Sequence, residues 1–131
     1  AAKQTVKKMI AKGKNINQCR VLIMGATFKE NVSDIRNSRV VDVVNELKSF
    51  SVSVDVIDPH ANAAEVKTEY GFDLVSSAKG PYDAVIVAVN HSEYCGRSED
   101  DFAELLNGEG VFVDLKGIYR DKIKRWEYWS F

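Results

Sequence analysis

Three stretches of the chain are almost wholly apolar: RVLIMG at residues 20–25, YDAVIVAV at 82–89 and GVFVDL at 110–115. A strand with one wet face alternates polar and apolar residues. These do not. Short runs of this kind suit strands buried on both faces, as in a parallel sheet covered on each side. Between them the pattern changes period. RVVDVVNELKSF, residues 39–50, places Val40, Val43, Val44 and Leu47 on one helical face, with Ser38 as a candidate cap. VSVDVI, residues 52–57, alternates in period two, and Asp58-Pro59 ends it. Residues 61–70 suit a short helix stopped by Gly71, and FDLV at 72–75 suits a further short strand. Residues 98–107 read as a helix with Phe102, Leu105 and Leu106 inward. Residues 2–12 read as a helix with Val6, Met9 and Ile10 as its apolar stripe and Gly13 closing it. The tail WEYWSF is expected to pack on the body.

Strands alternating with helices predict an α/β fold: a Rossmann-like, doubly wound, mainly parallel sheet flanked by helices. Ligands of such sheets bind outside the carboxyl ends of the strands. Those ends fall at Gly25–Lys29, Asp58-Pro59, Asn90-His91 and Asp114–Gly117.

At 131 residues the chain suits one domain able to bury about two-thirds of its unfolded surface. With 45% hydrophobic and 28% charged residues it has the composition of a globular protein, not a disordered one. No apolar run approaches the ~20 residues of a membrane span. No apolar segment follows the basic start as in a signal peptide, so a cytoplasmic place is expected. Helix 2–12 has no evident N-cap and no initiating Met, which predicts that residues 1–14 are the end of a connecting helix and 15–131 the domain proper. Residues 1–20 hold six basic and no acidic residues, leaving 12 basic against 19 acidic, a net of −7, for the rest. A basic arm of this kind can bind nucleic acid or a membrane surface. It lacks an aromatic residue to stack on bases, and a solvated helix face is the expectation, with neither nucleic acid nor membrane as partner. Cys19 and Cys95 form no C-x-x-C pair and are expected to be reduced and not catalytic.

The loop after the first strand, GATFKENVSDIRNS, carries the most chemistry. A dinucleotide-binding turn needs G-x-G-x-x-G so that backbone can approach a pyrophosphate. Gly25 stands alone, and Thr27 and Phe28 occupy places that need small residues. Lys29 can meet a phosphate as a point charge, Arg36 can grip one bidentately, and Phe28 can lie against a base or ribose. Asp34 is expected to pair with Arg36 and tie the loop down. Asp58 stands where a dinucleotide fold holds a ribose hydroxyl, but without the glycine loop a helix cap near Ala61 is the expectation. DLKG at 114–117 puts Lys116 on the same edge as Lys29, and two cations at neighbouring strand ends suit a diphosphate. His60 and His91 show no metal-ligand spacing, and no metal is expected. His91 can be an acid or base, or simply a hydrogen-bonded loop residue.

These segments, in order with VDVIDPHA, YGFDL, YDAVIVAVNHSEY and VFVDLKGIY, resemble the C-terminal domain of the UDP-glucose/GDP-mannose dehydrogenase family from about residue 20 to 120. Phe28, Lys29, Asn31, Asp34, Arg36 and Ser38 fit its F-K-x-N-x-x-D-x-R-x-S pattern, and the variant looks most like the UDP-N-acetylhexosamine branch. The resemblance implies a UDP-sugar-binding domain of an NAD-dependent 6-dehydrogenase serving surface polysaccharide synthesis. It implies that NAD and the catalytic Cys belong to an absent N-terminal part, that this chain has no catalytic residue and is inert alone, and that the full-length enzyme is a homo-oligomer through a central helix. By the same resemblance the substrate-binding positions are Phe28, Lys29, Arg36 and Lys116; Lys116 stands near a position often held by Arg, keeping the charge without the planar fork. Two other readings remain open at this point: a stand-alone Rossmann-like NAD-binding or regulatory module, and an interaction domain using the basic helix and Trp126, Tyr128, Trp129 and Phe131.

Overall fold

The computed structural model describes residues 1–130; Phe131, the last residue of the aromatic tail, lies outside the described residues. Among the described residues five strands form one sheet: β1 (Arg20–Met24), β2 (Ser53–Ile57), β3 (Tyr82–Val87), β4 (Leu106–Asp114) and β5 (Glu127–Ser130). Their order is β2-β1-β3-β4-β5, and every neighbouring pair is parallel. All five carboxyl ends therefore lie along one edge. The helices are α1 (Ala2–Ala11), α2 (Val40–Ser49) and α3 (Ala63–Tyr70).

The apolar runs have the predicted cause. Side chains alternate between sheet faces, and both faces are buried. Val21 and Ile23 of β1, Ala84 and Ile86 of β3, and Val111 and Val113 of β4 meet Val6 and Met9 of α1, Val44 and Leu47 of α2 and Val66 of α3. The intervening residues Leu22, Met24, Val85, Val87 and Phe112 meet Tyr94, Phe102, Leu106, Tyr119 and Ile123. One face thus lies under α-helices and the other under an aromatic layer carried by loops and one 3-10 turn. The β3–β4 register shifts between Tyr82 and Ala84, where β4 advances from Leu106 to Val111, and Tyr82 lies on the aromatic side.

Four local expectations change. Residues 72–75 make no strand; they touch the sheet through the single bridge Val56–Leu74, with the Val75 N–H donating to the Val56 carbonyl. Residues 98–107 hold only the 3-10 turn Glu99–Phe102, which Ser98 and Asp101 close by a capping box. Leu106 pairs with Tyr82, and that ladder draws the chain into β4 before a helix can continue. The tail does pack on the body, but as β5, with Tyr128 on the aromatic face and Trp129 on the helical one. Finally, α1 buries Ala2, Thr5, Val6 and Met9 and turns Ile10 to solvent, since Ile10 stands roughly 90° around the helix from the centre of the arc those four residues occupy. Gly13 (φ +78°) and Gly71 (φ +82°) take the left-handed conformation that ends α1 and α3.

Candidate functional site

The long loop between β1 and α2 begins at Gly25, where only glycine fits. Its φ is +107°, and a Cβ there would stand 2.7 Å from the Cβ of Val89. The loop then folds back through its own amides. Asp58, at the end of β2, accepts the N–H of Ala26 (2.6 Å) and of Thr27 (3.3 Å) on Oδ2. The Phe28 N–H donates to the Asp34 carbonyl at 2.7 Å. The Asn31 N–H donates to Nδ1 of His91 at 2.9 Å. The Thr27 hydroxyl donates to the Lys29 carbonyl at 2.9 Å. Tyr70 of α3 holds the far limb by donating to the Ile35 carbonyl.

At the centre lies His91, fully buried. Its Nε2 stands 2.9 Å from Asp58 Oδ2 and 3.3 Å from Thr27 Oγ1. Because Nδ1 accepts the Asn31 amide, the proton belongs on Nε2 and is donated to Asp58. Asn31, at φ +59°, returns the contact: its Oδ1 accepts the N–H (2.9 Å) and hydroxyl (3.0 Å) of Ser92. Asn is among the few residues that tolerate this conformation. Burial pushes the Asp58 carboxyl up, but the Ala26 amide, the His91 ring and the His60 amide outweigh it and hold the group below its usual range. Asp58 Oδ1 accepts the N–H of His60 and Ala61, yet the cap of α3 is Asn62, whose Oδ1 accepts from Glu65. The acid expected to cap that helix instead ties the ends of β1, β2 and β3 together, because four residues separate it from the helix start at Ala63.

What this scaffold presents outward is side chain. Phe28 is 54% exposed, and Lys29 is exposed beside it. Arg36 is exposed and bidentate to Asp34, with Nε and Nη2 each at 3.0 Å from a carboxylate oxygen, as expected for a pair that ties the loop. It also lines a hollow of about 360 Å³ against α3 with Glu65 and Glu69. Lys116 is exposed on the turn after β4. That turn is set by the buried Asp114, which accepts the amides of Ile118 (3.1 Å) and Tyr119 (2.8 Å) and the hydroxyl of Tyr128 (2.6 Å). Phe28, Lys29, Arg36 and Lys116 therefore share the carboxyl edge of the sheet, but the two lysines are not at neighbouring strand ends. β3 lies between β1 and β4, so their strand ends stand about 10 Å apart.

Cys19 is buried, with Sγ donating to the Asn15 carbonyl; burial and then Asp83 push its thiol up, which suits a packed side chain and not a nucleophile. Cys95 is exposed. Among the described residues no three His, Cys, Asp or Glu side chains gather as a metal site. Among the described residues no helix is long and apolar enough to cross a membrane. On the aromatic face a cavity of about 510 Å³ opens between Leu22, Met24, Ile57 and Leu105, with Glu93, Tyr94 and Arg97 at its wall. The Tyr94 hydroxyl there is buried without a hydrogen-bond partner among the described residues. Phe28, Lys29 and Lys116 do not line that cavity. Sequence reasoning missed the roles of His91, Asn31 and Asp58 as one network; the available signal was a polar pair, Asn90-His91, directly after the buried run at 84–89.

Residues 22–121 match the UDP-glucose/GDP-mannose dehydrogenase family, UDP binding domain. The chain is 46% identical over 118 residues to the UDP-N-acetyl-D-glucosamine 6-dehydrogenase of Salmonella typhi, covering 89% of this chain and 28% of that protein. It is 42% identical over 114 residues to the protein of the same name from Pseudomonas aeruginosa, covering 86% of this chain and 27% of that one. The solved structure of a UDP-D-ManNAc dehydrogenase from Pyrococcus horikoshii shares the fold, with a TM-score of 0.77 at 15% identity over 98% of this chain and 29% of that one. The chain thus spans between a quarter and a third of the length of these proteins.

Proposed function

The chain belongs to the UDP-glucose/GDP-mannose dehydrogenase family, and from that premise we propose that it receives the UDP half of a UDP-N-acetylhexosamine for a longer NAD-dependent 6-dehydrogenase. The observation that carries this reading is the accounting of the β1–α2 loop. The amides of Ala26, Thr27, Phe28 and Asn31 all bond within the protein. A pyrophosphate cradle of the NAD type needs those groups free and aimed outward, so this turn does not fit NAD. What it offers to an anion is charge on side chains.

Lys29 meets a phosphate as a flexible point charge, and Phe28 lies against the base or ribose. Lys116 supplies a second cation from across β3. Arg36 has a lesser place, because its fork already holds Asp34. On this reading the hydride chemistry and NAD belong to a part of the protein upstream. Residues 1–14 are the end of the helix leading from it, 15–131 are the substrate domain, and the intact enzyme is a homo-oligomer through that helix. Two free thiols suit a cytoplasmic place.

Calorimetry with UDP on this chain and on Lys29→Ala tests the assignment. The variant is expected to bind about tenfold more weakly, the scale of one charge-assisted contact. NAD is expected not to bind. Equal UDP affinity in the two proteins removes Lys29 from the site, and tight NAD binding removes the reading as a whole.

A further inference from the structure

The dipeptide that faces the nucleotide is bracketed by contacts to one side chain. Thr27, just before Phe28-Lys29, lies 3.3 Å from His91 Nε2, and Asn31, just after, donates its amide to Nδ1 at 2.9 Å. The bracket is closed from the other direction, since Ser92 donates twice to the Asn31 side chain. The ring itself is fixed by Asp58 at 2.9 Å, by the His60 ring with centroids 4.5 Å apart, and by the Tyr94 ring at 5.5 Å. His60 in turn pairs with Glu93. Neither nitrogen of a ring fully shut from solvent remains open to a substrate.

We propose that His91 is a positioning residue for nucleotide-sugar binding: as the neutral Nε2–H tautomer it ties Asp58 to the Asn31 amide and so sets where Phe28 and Lys29 stand. This rests on the reading of the β1–α2 loop as the nucleotide loop. The two nitrogens have separable duties. Nε2 stabilises the fold by satisfying the buried Asp58 carboxylate. Nδ1 places the loop, because without it the Asn31 amide has no acceptor and its left-handed backbone has no tether on that side.

Two substitutions divide these duties. In His91→Gln the side-chain amide reaches Asp58 but offers nothing at Nδ1. In His91→Asn the side-chain oxygen takes the place of Nδ1 but leaves Asp58 without its donor. Amide hydrogen exchange at Asn31, thermal unfolding and UDP calorimetry are measured on both. Expected for His91→Gln are exchange at Asn31 and a UDP dissociation constant each raised about tenfold, with a thermal midpoint near that of the wild type. Expected for His91→Asn is the reverse: a lower midpoint, with exchange and UDP affinity near the wild-type values. If both variants lose UDP affinity only in step with stability, His91 is structural and the proposal fails. A ¹⁵N spectrum of the wild-type ring with the proton on Nδ1 overturns it too, whether or not the variants fold. If the wild-type chain does not bind UDP, the functional reading falls, and Asn31 exchange in the two variants still decides the role of His91.

Discussion

Asp34 and Arg36 sit two residues apart in a loop that has no regular structure, and their pairing shows what one exposed contact does. The Arg36 side chain, hydrogen-bonded to it, and then the Arg36 amide hold the Asp34 carboxyl down to about 2. A group whose folded value lies below its unfolded one stabilises the fold above about pH 4 and loses that contribution as pH falls toward the folded value. Here the Arg36 side chain is 81% exposed, so the pair orders the loop and adds little to stability. An NMR titration should place the Asp34 midpoint near 2, and Arg36→Ala should raise it toward the free value of about 3.9 without reaching it, because the amide at position 36 still donates. A wild-type midpoint near 4 would mean that the fork is not held in solution. This pair was legible from the sequence because i, i+2 partners of opposite charge need no knowledge of the fold. His91 was not. Its partners are 33, 60 and 64 residues away in sequence, and only the parallel order β2-β1-β3 brings them together.

At the scale of elements, the strands with two buried faces and the alternating edge strand β2 were legible, and the other edge strand, β5, was not. β1, β3 and the end of β4 announce themselves because nearly all of their residues are buried and apolar. β5 carries Glu127 and Ser130 around two aromatics and reads as a tail, since its burial depends on the edge of β4 being free to receive it. The supposed helix at 98–107 failed for the same reason in reverse: a long-range ladder to Tyr82 outweighed a local periodicity. The β4–β5 connection depends on one residue. Asp114 accepts two amides and one hydroxyl while fully buried. Asp114→Ala leaves three donors without a partner and should cost about 3 kcal/mol or more in urea unfolding. It should also let Tyr128, pushed up to about 12 by burial and then by Asp114, ionise at lower pH. Unchanged stability would show that water or a rearranged turn replaces the carboxylate.

Across the whole molecule the two faces of the sheet differ in kind. The helical face is mainly aliphatic, with Tyr70, Phe72 and Trp129 as its aromatic residues. The other is built from rings: Phe102, Phe112 and Tyr119 meet edge to face with centroids 4.9 to 5.4 Å apart. That face holds Tyr94, Tyr119 and Tyr128, and burial pushes all three hydroxyls up. In the unfolded chain they ionise near pH 10. Between about pH 10 and 12 the folded state keeps protons that the unfolded state releases, so stability is full below that window and falls through it. Urea midpoints measured from pH 8 to 11 should be level at first and then drop, with tyrosinate absorbance appearing together with unfolding. Absorbance that rises well before unfolding would show that the aromatic layer is open to water. The α/β class and the parallel sheet were legible from the period of the apolar residues; the asymmetry of the faces was not, because loops carry the aromatic cover.

The folded-back amides of the β1–α2 loop have a consequence for how such a domain changes over time. A loop that grips a ligand with its backbone can alter its preference only by altering its path. Here the path is secured by Asp58, His91 and Asn31, while residues 28, 29 and 36 present the side chains that, on the function proposed above, meet the ligand. Recognition can then drift by single substitutions with the framework left intact, and one scaffold can serve a series of related donors without being refolded for each.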